Sequence, residues 1–258
     1  MKIQKMYKLY LLDMDGTIYF EDQLIDGALE FIKKLKFENI PYVFISNNSS
    51  VSKDYYLNKL KKIGIPCSDE NIFSSSIAMA LYLKENYSDK KIYCLGTNLF
   101  KLELRNYGIN LVEDESAEVL VVGYDRELNY EKLEKACHIL FNGGIFLATN
   151  PDLVYPLKNN RYVPDCGSIC NMLEVATKRK PLYIGKPNPY MIECIKKMYN
   201  VKDDEIVVIG DRLYTDIELA RNANVNSILV LSGETTKEML ASSFINPTYV
   251  INSIKDLI

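Results

Sequence analysis

The strongest constraint on the fold of this 258-residue chain is a repeating rhythm: short, almost continuously apolar runs alternate with helix-patterned segments. Residues 8–13 (KLYLLD), 41–46 (PYVFIS) and the NIFSSS run starting at 71 read as strands. A helix over 27–39 carries Leu29, Ile32 and Leu35 on one side, with Asp26 as its expected cap and Pro41 beyond its end. A second helix over 52–63 starts at Ser52 and closes at Gly64. The rhythm returns late in the chain, with strands at 182–185, 206–210 and 227–231 and helices near 188–199 and 215–223. Strands without polar alternation, separated by helices, predict a parallel sheet covered on both faces. Ligands bind such sheets beyond the carboxyl ends of the strands.

Between the two halves, residues 85–180 contain strands of their own (KIYCLG, EVLVVGYD, GIFLATN) and helices, enough for a separate small α/β domain. The expected division is 1–84 with 181–258 as the core and 85–180 as the insertion. Composition then removes whole classes of function. At 48% hydrophobic and 25% charged residues the chain is a folded protein and not a disordered one. With 31 basic against 34 acidic residues and no basic run, general nucleic-acid binding is not expected. No apolar run approaches the roughly 20 residues a bilayer span needs, so no membrane partner is expected. The start, MKIQKMYKLYLLDMDGT, runs from a short apolar stretch straight into acids, unlike a secretory leader, and the expected location is the cytosol. The six cysteines show no CxxC and read as reduced, mostly buried thiols. His138 lies beside an apolar helical stripe and reads as a surface residue. Tyr124 and Tyr155 read as packing residues.

Chemistry concentrates in four polar clusters, each just after an apolar run: Asp13-Met14-Asp15-Gly16-Thr17, Ser46-Asn47-Asn48, Gly185-Lys186-Pro187, and Gly210-Asp211 with Asp216 five positions on. A strand ending in Asp is common, and Gly-Lys-Pro is ordinarily a turn. Four such clusters at successive strand ends are the pattern of a site.

With these motifs the chain resembles the haloacid dehalogenase-like phosphatases, in their NagD-like and 4-nitrophenylphosphatase-like branch. VVGYDRELNY (121–130), ATNPD (148–152) and GDRLYTDI (210–217) carry the branch likeness. Asp13 and Ser46 are 33 residues apart and Ser46 and Lys186 are 140 apart, which leaves room for a domain inserted only after the second cluster. The resemblance implies a Rossmann-like doubly wound parallel sheet as the core, with an inserted smaller α/β cap domain. It also implies a possible homodimer and a small phosphorylated metabolite as substrate.

The residue types suit that chemistry. Phosphoryl transfer needs a nucleophile, a proton carrier for the leaving oxygen and positive charge around the equatorial oxygens. Asp13 can serve as nucleophile and Asp15 as acid and base, since a strand-like backbone turns both side chains the same way. Ser46, Asn47 and Asn48 can hold phosphoryl oxygens, and Lys186 supplies a cation. Asp13, Asp211 and Asp216 against Lys186 leave an excess negative charge that would repel a phosphate dianion, so Mg2+ is expected. The family pattern implies Asp13, Asp211 and the Asp15 carbonyl as metal ligands, with Asp216 orienting them. In the insertion, Asn150 and Asp152 match loops that face the leaving group in similar enzymes. Asp165 stands where relatives usually carry glycine, either a plain turn or a change that disfavours anionic leaving groups. A phosphomutase, or a phospho-accepting module without turnover, shares part of the pattern. The short first gap disfavours the mutase, and Asp15 with the long insertion disfavours the module.

Overall fold

A computed structural model of the chain describes residues 5–157 and 161–258. The chain divides into two compact units. The first holds the described residues up to Ser46 together with Lys53–Phe73 and Lys186–Ile258, and the second holds Asn47–Ser52 and Ser74–Gly185.

The first unit is built on a six-stranded sheet whose members, numbered in chain order, are β1 (Leu9–Asp13), β4 (Tyr42–Ser46), β5 (Ile72–Ser74), β12 (Ile206–Gly210), β13 (Asn226–Val230) and β14 (Tyr249–Ile251). Their spatial order is β14-β13-β12-β1-β4-β5. β1 pairs in parallel with both β4 and β12, and β13 in parallel with β12 and β14. The central strands are buried along almost their whole length, as their unbroken apolar runs require. A small hairpin of β2 (Tyr19–Phe20) and β3 (Gln23–Leu24) follows β1. Helices α1 (Ala28–Phe37), α2 (Lys53–Lys62), α7 (Tyr190–Tyr199), α8 (Glu218–Asn222) and α9 (Lys237–Ser242) complete the unit. A π-helical turn, Leu213–Ile217, leads into α8. The expected capping of α1 by Asp26 does not occur. Gly27 caps it in the left-handed conformation that favours glycine, a Cβ there would also meet Lys255 at 2.6 Å, and Asp26 accepts from Lys255 Nζ at 2.6 Å.

The second unit has a parallel four-stranded sheet in the order β11-β8-β7-β6, from β6 (Ile92–Leu95), β7 (Val119–Val122), β8 (Ile145–Ala148) and β11 (Leu182–Tyr183). β9 (Val154–Leu157) and β10 (Arg161–Pro164) form an antiparallel pair. Its helices are α3 (Ser75–Asn86), α4 (Asn98–Asn106), α5 (Tyr130–Phe141) and α6 (Cys166–Thr177). Leu120, Val122, Ile139, Phe146, Ile169 and Leu173 lie in its core. Tyr124 is buried in that core and stacks on Tyr155 at 5.4 Å between ring centroids.

Two expectations are corrected here. The 182–185 run is not a strand of the larger sheet: Leu182 pairs with Leu147 and Tyr183 with Ala148, extending the smaller one. The segments 47–52 and 74–84, expected in the core, belong to the second unit, where α3 packs against α4. Asp165 is the N-cap of α6 and accepts from the Cys166 backbone N–H, so the acid in that loop is a buried helix cap. None of the six cysteines forms a disulfide, four of them are buried, and His138 is exposed. No helix among the described residues is long and apolar enough to cross a membrane.

Candidate active site

The strand order places the site within the first unit. β4 and β5 lie on one side of β1, and β12 to β14 on the other. The connections leaving β1 and β12 therefore diverge, which opens a crevice at their carboxyl ends. Asp13 is the last residue of β1, and Asp211 follows the last residue of β12. The turn after Asp13 passes close to Asp211. Gly16 has a φ of 86°, and a Cβ on it would stand 2.4 Å from Asp211 Oδ2, so only glycine allows this approach.

Lys186 ties the acids together. Its Nζ donates to Asp13 Oδ1 at 2.6 Å and to Asp216 Oδ1 at 2.7 Å. Asp216 Oδ2 accepts from the Arg212 backbone N–H at 3.1 Å, so donors occupy both of its oxygens. Asp211 Oδ2 accepts from the Glu234 N–H at 2.6 Å, while its Oδ1 is buried with no hydrogen-bond partner among the described residues. One carboxylate oxygen from each of Asp13, Asp211 and Asp216 lies within 4.8 Å of the others.

Three carboxylates against one ammonium leave buried negative charge in excess, and the titration of the groups reflects it. Burial first, then the Asp216 charge, push the Asp13 carboxyl well above the usual carboxylate range, with Lys186 opposing. Burial and then Asp216 push Asp211 up to about 7. Burial raises Asp15 against the opposing charges of Lys59, Arg212 and Lys186. For Lys186, burial disfavours the ammonium, yet Asp13 and Asp216 outweigh it and raise its pKa. A small hard cation beside Asp211 Oδ1 and the free side of Asp13 relieves all of this at once. An oxygen-only donor set with one orphaned buried carboxylate oxygen fits such an ion, and Asp216, already satisfied by Lys186 and the Arg212 amide, suits an orienting role.

Asp13, Asp15, Lys186, Asp211 and Asp216 thus share one region of the first unit, with Ser46 at the end of the adjacent strand β4. The remaining sequence candidates hydrogen-bond within the second unit. Asn47 Nδ2 donates to Asp152 Oδ2 at 2.9 Å, and Asn150 Nδ2 donates to the Asn47 carbonyl at 2.8 Å. Asn48 Oδ1 accepts from the Ser50 N–H and hydroxyl. Asn150 and Asp152, expected to face a leaving group, are buried and hydrogen-bond to Asn47. Asn150 Nδ2 satisfies the Asn47 carbonyl, and Asp152 Oδ2 satisfies the Asn47 side-chain amide.

Sequence reading misses other members of the site's surroundings. Tyr56 on α2 lies with its hydroxyl 2.9 Å from Ser46 Oγ. Lys59, one turn further on, has its Nζ 3.9 Å from the Tyr19 ring centroid and acts electrostatically on Asp15. Arg212 is paired with Glu234 at 2.8 Å. Only the i, i+3 spacing of Tyr56 and Lys59 on one helix face offers a sequence signal, and an apolar-stripe reading absorbs it.

Comparison with known proteins agrees with the architecture. The haloacid dehalogenase-like hydrolase family model matches residues 10–110, and a second, HAD-hydrolase-like, model matches residues 183–257. The chain is 35% identical to an acid sugar phosphatase of Staphylococcus haemolyticus, over 98% of this chain and 95% of that protein. It is 33% identical to the 5'-nucleotidase YutF of Bacillus subtilis, over 98% of each. The crystal structure of a 4-nitrophenylphosphatase from Thermotoga maritima superposes with a TM-score of 0.93 at 40% identity, covering 97% of this chain and 96% of that one. The chain belongs to the haloacid dehalogenase-like hydrolases, among their NagD-like and 4-nitrophenylphosphatase-like phosphatases.

Proposed function

We propose that this chain is a Mg2+-dependent phosphomonoesterase for small phosphorylated metabolites, working through an aspartyl-phosphate on Asp13. The observation that supports it most is the buried, unpartnered Asp211 Oδ1 beside Asp13, in a cluster where Lys186 alone does not balance the carboxylates. Asp13, Asp211 and the Asp15 carbonyl would hold Mg2+, with Asp216 fixing their arrangement through Lys186. When bound, the ion supplies positive charge to the carboxylates and to the phosphoryl oxygens.

The chain's own residues then do the chemistry. Asp13 attacks phosphorus with a carboxylate oxygen as the bond to the leaving oxygen breaks, and Asp15 gives that oxygen its proton. Burial holds the Asp15 carboxyl above its ordinary range, which suits a group that must carry a proton before it gives it up. In the second half Asp15 takes a proton from water, the water oxygen attacks phosphorus, and the bond to Asp13 breaks to release phosphate. Lys186 and the Ser46 hydroxyl hold the equatorial oxygens through both halves.

Steady multiple turnover of 4-nitrophenyl phosphate with Mg2+ is the first test, and a single stoichiometric burst from the wild-type protein would refute hydrolysis. A panel of sugar phosphates and 5'-nucleotides, chosen from the names of the relatives and ranked by kcat/KM, then assigns the substrate class. Two further outcomes are expected. Excess EDTA abolishes turnover and Mg2+ restores it. The ion also raises the melting temperature of the chelated protein, by the equivalent of about 2.7 kcal/mol at a hundred times its dissociation constant, and Asp211→Asn removes that rise. Asp15→Asn lowers kcat by about 10²–10⁴-fold, and the loss is smaller for 4-nitrophenyl phosphate, whose leaving group needs little protonation, than for alkyl phosphates. Equal losses in kcat/KM on both, which reports the steps up to departure of the leaving group, would show that Asp15 carries no proton to it.

A further inference from the structure

Resting on the reading that Ser46 binds the phosphoryl group, we infer that Tyr56 is a positioning residue for phosphoryl transfer: its hydroxyl holds the Ser46 hydroxyl so that the serine proton faces the phosphoryl oxygens. Ser46 is the last residue of β4, and its Oγ lies 2.9 Å from Tyr56 Oη. Both residues are buried, and Tyr56 is almost entirely so. The contact bridges the end of a central strand and the first turn of α2, and each lies in the first unit.

The direction of that hydrogen bond decides the chemistry. A serine hydroxyl has one proton, and so has a tyrosine. Phosphoryl oxygens only accept, so Ser46 must donate to them, and its oxygen is then left as the acceptor for Tyr56. Tyr56 donating to Ser46 therefore sets the serine rotor in the orientation that the substrate needs. With the tyrosine hydroxyl removed, the serine loses the donor that holds this orientation, and the ordering cost falls on substrate binding and on the transition state. Tyr56 touches no reacting atom in this scheme and acts through Ser46 alone. Its ring is held independently, packed edge-on to Tyr55 at 5.9 Å between centroids, so loss of the hydroxyl leaves the side chain in place.

The test is a double-mutant cycle on the full chain with Mg2+, reading kcat/KM for 4-nitrophenyl phosphate and the inhibition constant of inorganic phosphate. Tyr56→Phe should weaken both by about 3- to 10-fold, the worth of one neutral hydrogen bond, with the melting temperature moving by only a few degrees. In a Ser46→Ala background the same change should cost less than about 2-fold, because the group it positions is gone. A purely structural tyrosine would lose the same factor in both backgrounds, and that result overturns the proposal. So does an unchanged Tyr56→Phe enzyme alongside a damaged Ser46→Ala one. If Ser46→Ala alone leaves both constants at the wild-type value, the assignment of Ser46 to the phosphate fails and takes the role of Tyr56 with it. Tyr56→Leu, read in the same two backgrounds, separates ring packing from the hydroxyl: its extra loss beyond Tyr56→Phe should persist without Ser46.

Discussion

Asp13→Asn is expected to lower kcat by on the order of 10³-fold or more while leaving the fold at least as stable as the wild type. The two halves of this expectation come from one arrangement. Asp13 ends β1 with Oδ1 accepting from Lys186 at 2.6 Å, and the amide oxygen of asparagine keeps that contact. What disappears is the nucleophilic carboxylate and one of three clustered negative charges, of which Lys186 contacts two. Burial and the charge of Asp216 already push Asp13 far above its ordinary range, which means that its ionised form is held at a cost in the metal-free protein. Removing that charge relieves the cost, so the melting temperature of the chelated variant should equal or exceed that of the wild type. Turnover is read with 4-nitrophenyl phosphate, and the covalent step by acid quench with a radiolabelled substrate: label stays on the wild-type chain and is absent from Asp13→Asn. A variant that kept the wild-type rate would rule out the covalent route, whatever its stability.

Lys186→Ala has the opposite signature, with activity and stability falling together. Lys186 is buried and contacts Asp13 and Asp216 at 2.6 and 2.7 Å. Removing one partner from a buried ionic group leaves the others uncompensated, a change that costs about 3–5 kcal/mol in comparable sites. For a chain of this size that corresponds to a melting temperature lower by roughly 6–15 °C. kcat/KM should fall by about 10²–10³-fold, since the phosphoryl oxygens lose their fixed cation and meet carboxylates instead. Proton uptake by the acids softens the stability loss at low pH, and a melting series from pH 5 to pH 8 should show the gap between variant and wild type widening upward. A variant that melts with the wild type across that range would mean that Lys186 does not balance the two acids.

How far the sequence carried this reading depends on the range over which each feature is determined. The parallel sheet was legible because LYLLD, YVFIS and IVVIG are apolar without interruption, and only strands buried on both faces need that composition. Asp13 and Asp211 stood out because each lies at the carboxyl end of such a strand, whereas Lys186 follows an edge strand of the smaller sheet. The assignment of 182–185 to the wrong sheet shows the limit. Apolar residues mark a strand, but its partner is chosen by the neighbour that offers a free edge, and that was β8. Asp26 failed as a cap for a similar reason: Lys255, more than two hundred residues later, occupies the space beside Gly27 and takes the carboxylate. The partner of Asn150 and Asp152 was likewise out of reach of local sequence: Asn150 donates to the Asn47 carbonyl and Asp152 accepts from the Asn47 side-chain amide, about a hundred residues earlier.

The amino-acid order by itself determined the strand–helix rhythm, the identity of the acids and the lysine at the strand ends, and the family they resemble, because periodicity and local residue type are properties of neighbours along the chain. Tertiary structure alone decided that Lys186 bridges Asp13 and Asp216, that one oxygen of Asp211 is left without a donor, and that Tyr56 meets Ser46. Hydrogen-bond partners and desolvation follow from which side chains are brought together in space, and the chain folds before those distances exist.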